Sequence, residues 1–318
     1  MLTKSFIIAA LIAALMQCAP TASADDGGAL HGGAHQGEAH QEDWAAALGS
    51  DLVRLGRIEW ALRSAAVPHC RDTAAGSGLV LDSLDAYAPA DRAQVRQALG
   101  VASLPTVLAV MQGSPADHAG LQAGDTLLEI GARGLPALPR GSTVAEAALD
   151  AIEARPPGSA VSITVRRGEN RVQTTMVTHP VCAARVFLKT ENAIGAHSDG
   201  SNIAITTGTV RFAASDDEIA LVLGHELAHT ILHKGRPSGL FSGKAREDEA
   251  DAKGAALAAC AGYDIGRALA FWQRIAATQR AGLPRLPTHR SAASRLSRLR
   301  HTLPELVCPA APISRSAA

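Results

Sequence analysis

The sequence predicts an α+β fold: a mainly helical body with a short β-sheet, interrupted by a smaller β/α module. Three observations carry this. Residues 215–233 read as one helix with its own start signal, and a second helix runs from about 246 to 261, closed by Gly262. Between residues 98 and 179, stretches such as Ala160–Val165 and Val172–Val177 alternate apolar and polar residues and are joined by an Arg167-Gly168-Glu169-Asn170 turn. With 318 residues, 47% of them apolar, the chain is long enough for one large domain or two modest ones with a real core.

The N-terminus reads as a signal peptide over residues 1–24. Lys4 gives the positive flank, Phe6–Met16 the apolar core, and Ala22-Ser23-Ala24 an A-x-A cleavage site. The apolar core is too short for a membrane span. Cys18 raises a lipoprotein alternative, but Gln17 before it is a poor lipobox residue, so release after Ala24 is favoured. The expected location is exported, periplasmic or secreted, in a bacterium, with no transmembrane span in the mature chain. Residues 25–43 read as a flexible linker whose His31, His35 and His40 are solvated. Trp44 to Ala65 reads as a helix. The formal net charge is zero and no basic stripe occurs, which excludes nucleic acid as the expected partner.

The chemistry concentrates in His225-Glu226-Leu227-Ala228-His229, which follows the apolar run Ile219–Gly224. Residues four apart on a helix share a face, so His225 and His229 present two imidazoles to one spot. That is the nitrogen pair that a zinc ion accepts at about 2.0–2.1 Å. Glu226 reaches a water in the open zinc position and takes its proton. Ser215-Asp216-Asp217-Glu218 fits an S-x-x-E capping box, and Lys234-Gly235 followed by Pro237 gives a stop. His233 is one turn beyond His229, too far to share a metal with both histidines, and reads as a residue meeting the helix C-terminal dipole.

A catalytic zinc needs a third protein ligand. Four acids, Glu247, Asp248, Glu249 and Asp251, open the second helix, and spacing alone does not choose between them. A solvated acidic turn with a Glu249–Lys253 pair is the alternative. Further back, Asn202-Ile203-Ala204-Ile205-Thr206 alternates as a strand.

Glu191-Asn192-Ala193, Asn202–Gly208, Asp216–Ala220, Gly224–His229, Glu249-Ala250-Asp251 and Thr288-His289 together resemble the gluzincin metallopeptidases. That family includes the CaaX prenyl endopeptidase, the heat-shock membrane protease HtpX and the mitochondrial inner-membrane protease. The resemblance implies a metalloendopeptidase with one zinc ion per chain, held by His225, His229 and Glu249, with Glu226 as general base. It implies Asp251 as the residue orienting a ligand histidine. His289 is followed by Arg290 where the family has proline, which leaves open whether His289 approaches the zinc. Arg295 is a candidate for bracing the same region. The strand Asn202–Thr206 is expected beside the zinc, with an exposed edge that holds an extended substrate by main-chain hydrogen bonds. The loop 236–243 joins the two helices, as a lid or a plain connector.

Residues 98–179 resemble a PDZ domain of the bacterial protease type. The carrying residues are Val107–Val110, Gly113-Ser114-Pro115-Ala116 and Ala119–Ile130, with a helix expected over Thr143–Ala154. The resemblance implies capture of a peptide C-terminus, with a carboxylate loop near Leu99-Gly100-Val101. The module is then an insertion in a peptidase domain made of residues 44–97 and 180–318.

Once the signal is removed, Cys70, Cys182, Cys260 and Cys308 remain, which three disulfide pairings satisfy. Cys70–Cys182, stapling the ends of the insertion, with Cys260–Cys308, tying the tail to the second helix, is favoured. The expected activity is hydrolysis of exported, misfolded or unassembled proteins. The rival is a chaperone-like binder that uses the PDZ-like module and carries a silent zinc site.

Overall fold

The computed structural model describes residues 36–233, 243–279, 290–302 and 308. The signal peptide, the linker up to residue 35, the connector 236–242, His289 and the side chain of His233 lie outside the described residues. The chain is α+β. Helix α1 (Gln36–Ala65) begins inside the stretch read as linker. Its Leu55, Ile58 and Leu62 enter the core of the helical body.

The insertion follows as β1 (Thr73–Gly76), β2 (Leu79–Asp82), α2 (Arg92–Leu99), β3 (Thr106–Val110), α3 (Pro115–His118), β4 (Thr126–Ile130), α4 (Val144–Glu153), β5 (Ala160–Arg167), β6 (Asn170–Val177) and β7 (His179–Cys182). Strands β1 and β7 pair antiparallel, with Thr73 opposite Cys182, and form the stem of the insertion. The Cys70–Cys182 disulfide closes that stem. Above it, an antiparallel sheet runs in the order β2-β3-β4-β5-β6. The sheet therefore begins at Leu79, ahead of the expected start at residue 98. The four-residue β2 is too short to stand out in the sequence, yet Leu79 and Leu81 join the module core. Leu99-Gly100-Val101 is not a carboxylate loop. Gly100, at φ 65°, caps α2, and Val101 is buried with Ala45, Leu84 and Val95.

After the stem come β8 (Arg185–Lys189), β9 (Ala196–Ser198) and β10 (Asn202–Thr206), then α5 (Thr207–Phe212), α6 (Asp216–His233), α7 (Gly243–Cys260), α8 (Ile265–Ala268), α9 (Ala270–Gln279) and α10 (Ala292–Thr302). Helix α6 is buried nearly all round, as suits the central helix of a core. Its N-terminus is held by more than the dipole. The Glu218 N–H donates to Ser215 Oγ at 3.4 Å, and the Glu218 carboxylate accepts the Ala214 N–H at 2.8 Å. Arg274 of α9 clamps the same carboxylate, while Asp216 takes Arg54 and Arg57 of α1.

Helices α6 and α7 touch through glycine. A Cβ on Gly224 would lie 2.6 Å from the Gly254 carbonyl oxygen, and a Cβ on Gly254 would lie 2.5 Å from the His225 nitrogen. The second favoured disulfide, Cys260–Cys308, ties the end of α7 to the tail. Among the described residues, no helix is long and apolar enough to cross a membrane.

Candidate metal centre

His225 and His229, one turn apart on α6, bring their Nε2 atoms to 3.1 Å. Across the glycine contact, α7 supplies a carboxylate. It belongs to Glu247, whose oxygens lie 3.4 Å from each Nε2. One ligand atom from each of the three residues lies within 4.8 Å of the others. Two imidazole nitrogens and a carboxylate fit the donor set of a catalytic zinc, which leaves a fourth position open.

Glu249, the expected third ligand, is exposed. Helical phase explains the correction. Two residues turn a helix by about 200°, so Glu249 points away from the face that carries Glu247. Asp251, four residues after Glu247, shares its face and is buried. The four acids thus have separate surroundings. Asp248 takes Arg290 at 2.6 and 2.7 Å and Arg298 at 3.0 Å.

Asp251 Oδ1 lies 2.9 Å from His225 Nδ1. With the Nδ1 proton given to Asp251, Nε2 is the nitrogen that would take a metal alongside His229 and Glu247. Arg295 of α10 donates to Asp251 from Nε at 2.8 Å, and its guanidinium stacks 3.8 Å over the Trp272 ring. A guanidinium nitrogen of Arg295 is also 3.1 Å from His225 Nδ1. Both donors converge on Asp251, the acceptor that they share. Burial opposes protonation of His225, but hydrogen bonds to Asp251 and Glu247 outweigh it and push its pKa up to about 8. Burial alone would raise the Asp251 carboxyl; His225 and Arg295 hold it below its usual value.

Glu226 is 8% exposed, next to His225 in sequence and one helical step round from it. Burial raises its carboxyl above the ordinary range, against the pull of His225 and Arg295. The backbone N–H of Ser198 in β9 also favours the charged form, to a smaller extent.

The substrate edge expected at Asn202–Thr206 is corrected too. Strand β10 is the middle of its sheet, parallel to β8 and antiparallel to β9. Ile203 and Ile205 are buried, and the Thr206 hydroxyl caps α5. Both sides of β10 are paired, so Asn202, Ile203, Ala204, Ile205 and Thr206 offer no free edge. The strand next to α6 is β9, which pairs with β10 only among the described residues. Ser198 had no sequence signal, because its contribution is a main-chain N–H. Glu247 had one: it stands i−4 from Asp251.

The family model for peptidase family M48 matches residues 188–236. The model for a PDZ domain matches residues 106–167. Both resemblances read from the sequence are met, so the chain combines an M48 segment, which supports metallopeptidase activity, with a PDZ domain. No curated protein matches the chain. Among solved structures, the HtrA-type protease AlgW with decapeptide is similar at 20% identity and a TM-score of 0.26, covering 34% of this chain and 30% of that one. A substituted form of AlgW with tripeptide is similar at 21% identity and a TM-score of 0.24, covering 34% of this chain and 32% of that one. The chain thus spans about a third of the length of those structures.

Proposed function

We propose that this chain, which combines the M48 segment with a PDZ domain, is a zinc-dependent metalloendopeptidase in which His225, His229 and Glu247 would hold the zinc, with Glu226 as general base. The observation that carries the reading is the convergence of the Glu247 carboxylate on the His225–His229 pair, with Asp251 behind His225. When bound, zinc supplies Lewis-acid polarisation of the scissile carbonyl and lowers the pKa of a water toward about 7.

The protein's own residues do the rest. Asp251, fixed by Arg295, orients His225. Glu226 receives the water proton on its carboxylate and delivers it to the leaving amine. Burial raises its pKa, which favours keeping the proton between the two halves of that transfer. An extended substrate pairs with the outer edge of β9, beside Glu226. Main-chain pairing selects little for sequence, which suits unfolded or unassembled proteins. Two disulfides suit an oxidising, exported setting.

The test compares the mature protein with its Glu226→Gln variant for casein cleavage and bound zinc. About one zinc in each, with chelator-sensitive cleavage by the parent alone, supports the reading. Zinc in both without cleavage in either favours the binding protein. No zinc in either sinks the ligand assignment.

A further inference from the structure

The sheet of the PDZ domain has two outer strands, β2 and β6. Strand β2 lies against α1, where a Cβ on Gly56 would come within 2.2 Å of Val80 Cγ2. Strand β6, at the opposite side, pairs with β5 alone among the described residues. It spans Asn170–Val177 and runs along β5 without a register shift. Such an edge recruits another strand unless proline, a bulge or an unpaired charge blunts it. No proline, glycine or bulge interrupts β6, and its one charged residue, Arg171, is tied to Glu129 at 2.6 Å.

Strand phase decides which backbone groups are free. The Thr178 N–H donates to the Ser159 carbonyl on the β5 side. Successive residues turn their N–H and C=O to opposite sides of a strand. The even-numbered residues of β6 therefore bond to β5, and Arg171, Gln173, Thr175 and Val177 turn their groups outward. All four are exposed, and Val177, at 59%, is the most exposed large apolar side chain among the described residues.

This edge is complementary to itself. Two copies of β6, antiparallel about a twofold axis at Thr174, set Arg171 opposite Val177 and Gln173 opposite Thr175, each pairing made twice. Opposed residues of this phase exchange both of their main-chain hydrogen bonds. The arginine stem covers Val177, and the glutamine amide meets the threonine hydroxyl. Two residues further in the same register, Glu169 falls opposite His179. Glu169 is exposed in the β5–β6 turn. His179 lines a cleft of about 620 Å³ together with Trp60, Ser64, His118 and Val177. Ser64 Oγ is buried there with no hydrogen-bond partner among the described residues. A turn that carries a carboxylate thus meets two imidazoles and an unsatisfied hydroxyl.

We propose that β6 is the interface of a homodimer: a second copy of this chain adds its own β6 antiparallel, centred on Thr174, and brings its Gly168-Glu169 turn into the cleft at His179. A second copy is the occupant because the register that uses all four outward residues is the symmetric one, and the same register puts carboxylate against imidazole. The two sheets become one, with a β2 strand at each end. The metal centre takes no part in this contact.

Sedimentation equilibrium of the mature protein over a concentration series reads the dimer, and residue-resolved amide exchange reads its place. The parent is expected to dimerise with a Kd below ~100 µM. Exchange is expected to slow in the dimer at Arg171, Gln173, Thr175 and Val177. It is expected to stay unchanged at Val172, Thr174 and Met176, whose N–H groups already bond to β5. Thr175→Pro removes an outward N–H and leaves the β5 bonds, so it is expected to weaken the dimer at least ~10-fold. Glu169→Lys is expected to weaken it several-fold, and His179→Glu added to that variant to restore it. A parent that stays monomeric over the whole series overturns the proposal. So does a dimer that tolerates both Thr175→Pro and Glu169→Lys. A dimer in which the four outward amides exchange as fast as in the monomer overturns it too, a reading on the parent alone that stands even where Thr175→Pro fails to fold.

Discussion

Gly224 and Gly254 meet backbone to backbone where α6 and α7 cross. A side chain at either position would collide with the other helix, at 2.6 Å for Gly224 and 2.5 Å for Gly254. The contact lies one residue before His225 and three after Asp251. Helix separation therefore sets the distance from the histidines to Glu247. Gly254→Ala is expected to force the helices apart, cost about 1–3 kcal/mol of stability and weaken zinc binding. Thermal denaturation and zinc titration check this. A Gly254→Ala protein with parental melting and parental zinc affinity would show that the crossing does not position the site.

The two glutamates near the start of α7 separate cleanly by mutation. Glu247→Gln is expected to lower zinc affinity by at least ~10-fold and abolish cleavage, because a ligand charge is lost. Glu249→Gln, on an exposed side chain, is expected to change stability by no more than about 0.5 kcal/mol and to leave zinc binding intact. Parallel metal titrations decide. The reverse pattern would restore the assignment that the sequence suggested.

The exchange of Glu249 for Glu247 marks what sequence spacing does not encode. Within one helix, i,i+4 spacing is legible, and it was enough to read His225 and His229 as a pair. The relation between α6 and α7 depends on tertiary phase, which a cluster of four neighbouring acids does not reveal. Asp251 held the missing clue, since the residue on its face one turn earlier is Glu247. The PDZ run Ala119–Ile130 was legible because its glycine turns have fixed positions, while β2 was missed because four residues carry too little pattern. Both disulfides were foreseen once the insertion was recognised. The alternation in Asn202–Thr206 reveals a strand and not its neighbours, so its place in the middle of the sheet is not legible. The approach of β9 to Glu226 arises from packing between distant segments and leaves no local trace.

Asp251 and Arg295 would influence the proposed zinc only through His225, which both contact. Asp251→Asn keeps the shape but removes the charge that fixes the Nδ1 proton. Partners of this kind typically cost 10–100-fold in metal affinity or activity when changed, on the order of what is expected here. Arg295→Ala is expected to act in the same direction by freeing Asp251, with Arg295→Lys restoring part of the loss through charge but not through stacking on Trp272. Isothermal titration with zinc and cleavage assays on the three variants separate these effects. Equal, undiminished zinc affinity in all of them would confine Asp251 and Arg295 to a packing role.

The protonation of His225 gives a pH signature in the metal-free protein. Its folded pKa of about 8 lies above the ordinary 6.5. A raised basic pKa stabilises the folded state below the unfolded value and loses that stability as pH rises through the folded one. The metal-free protein is thus expected to lose about 2 kcal/mol between pH 6.5 and 8 from this residue. Zinc binding runs the other way, because the metal must displace the proton. Affinity is expected to climb by about tenfold per pH unit up to pH 8 and then to flatten. Glu226, also raised, contributes to the loss of metal-free stability with the same sign. Comparing the parent with Glu226→Gln separates the two, since the histidine part persists in the variant. A zinc affinity that is flat between pH 6.5 and 8 would show that His225 is already neutral there, and that Asp251 and Glu247 do not hold its proton.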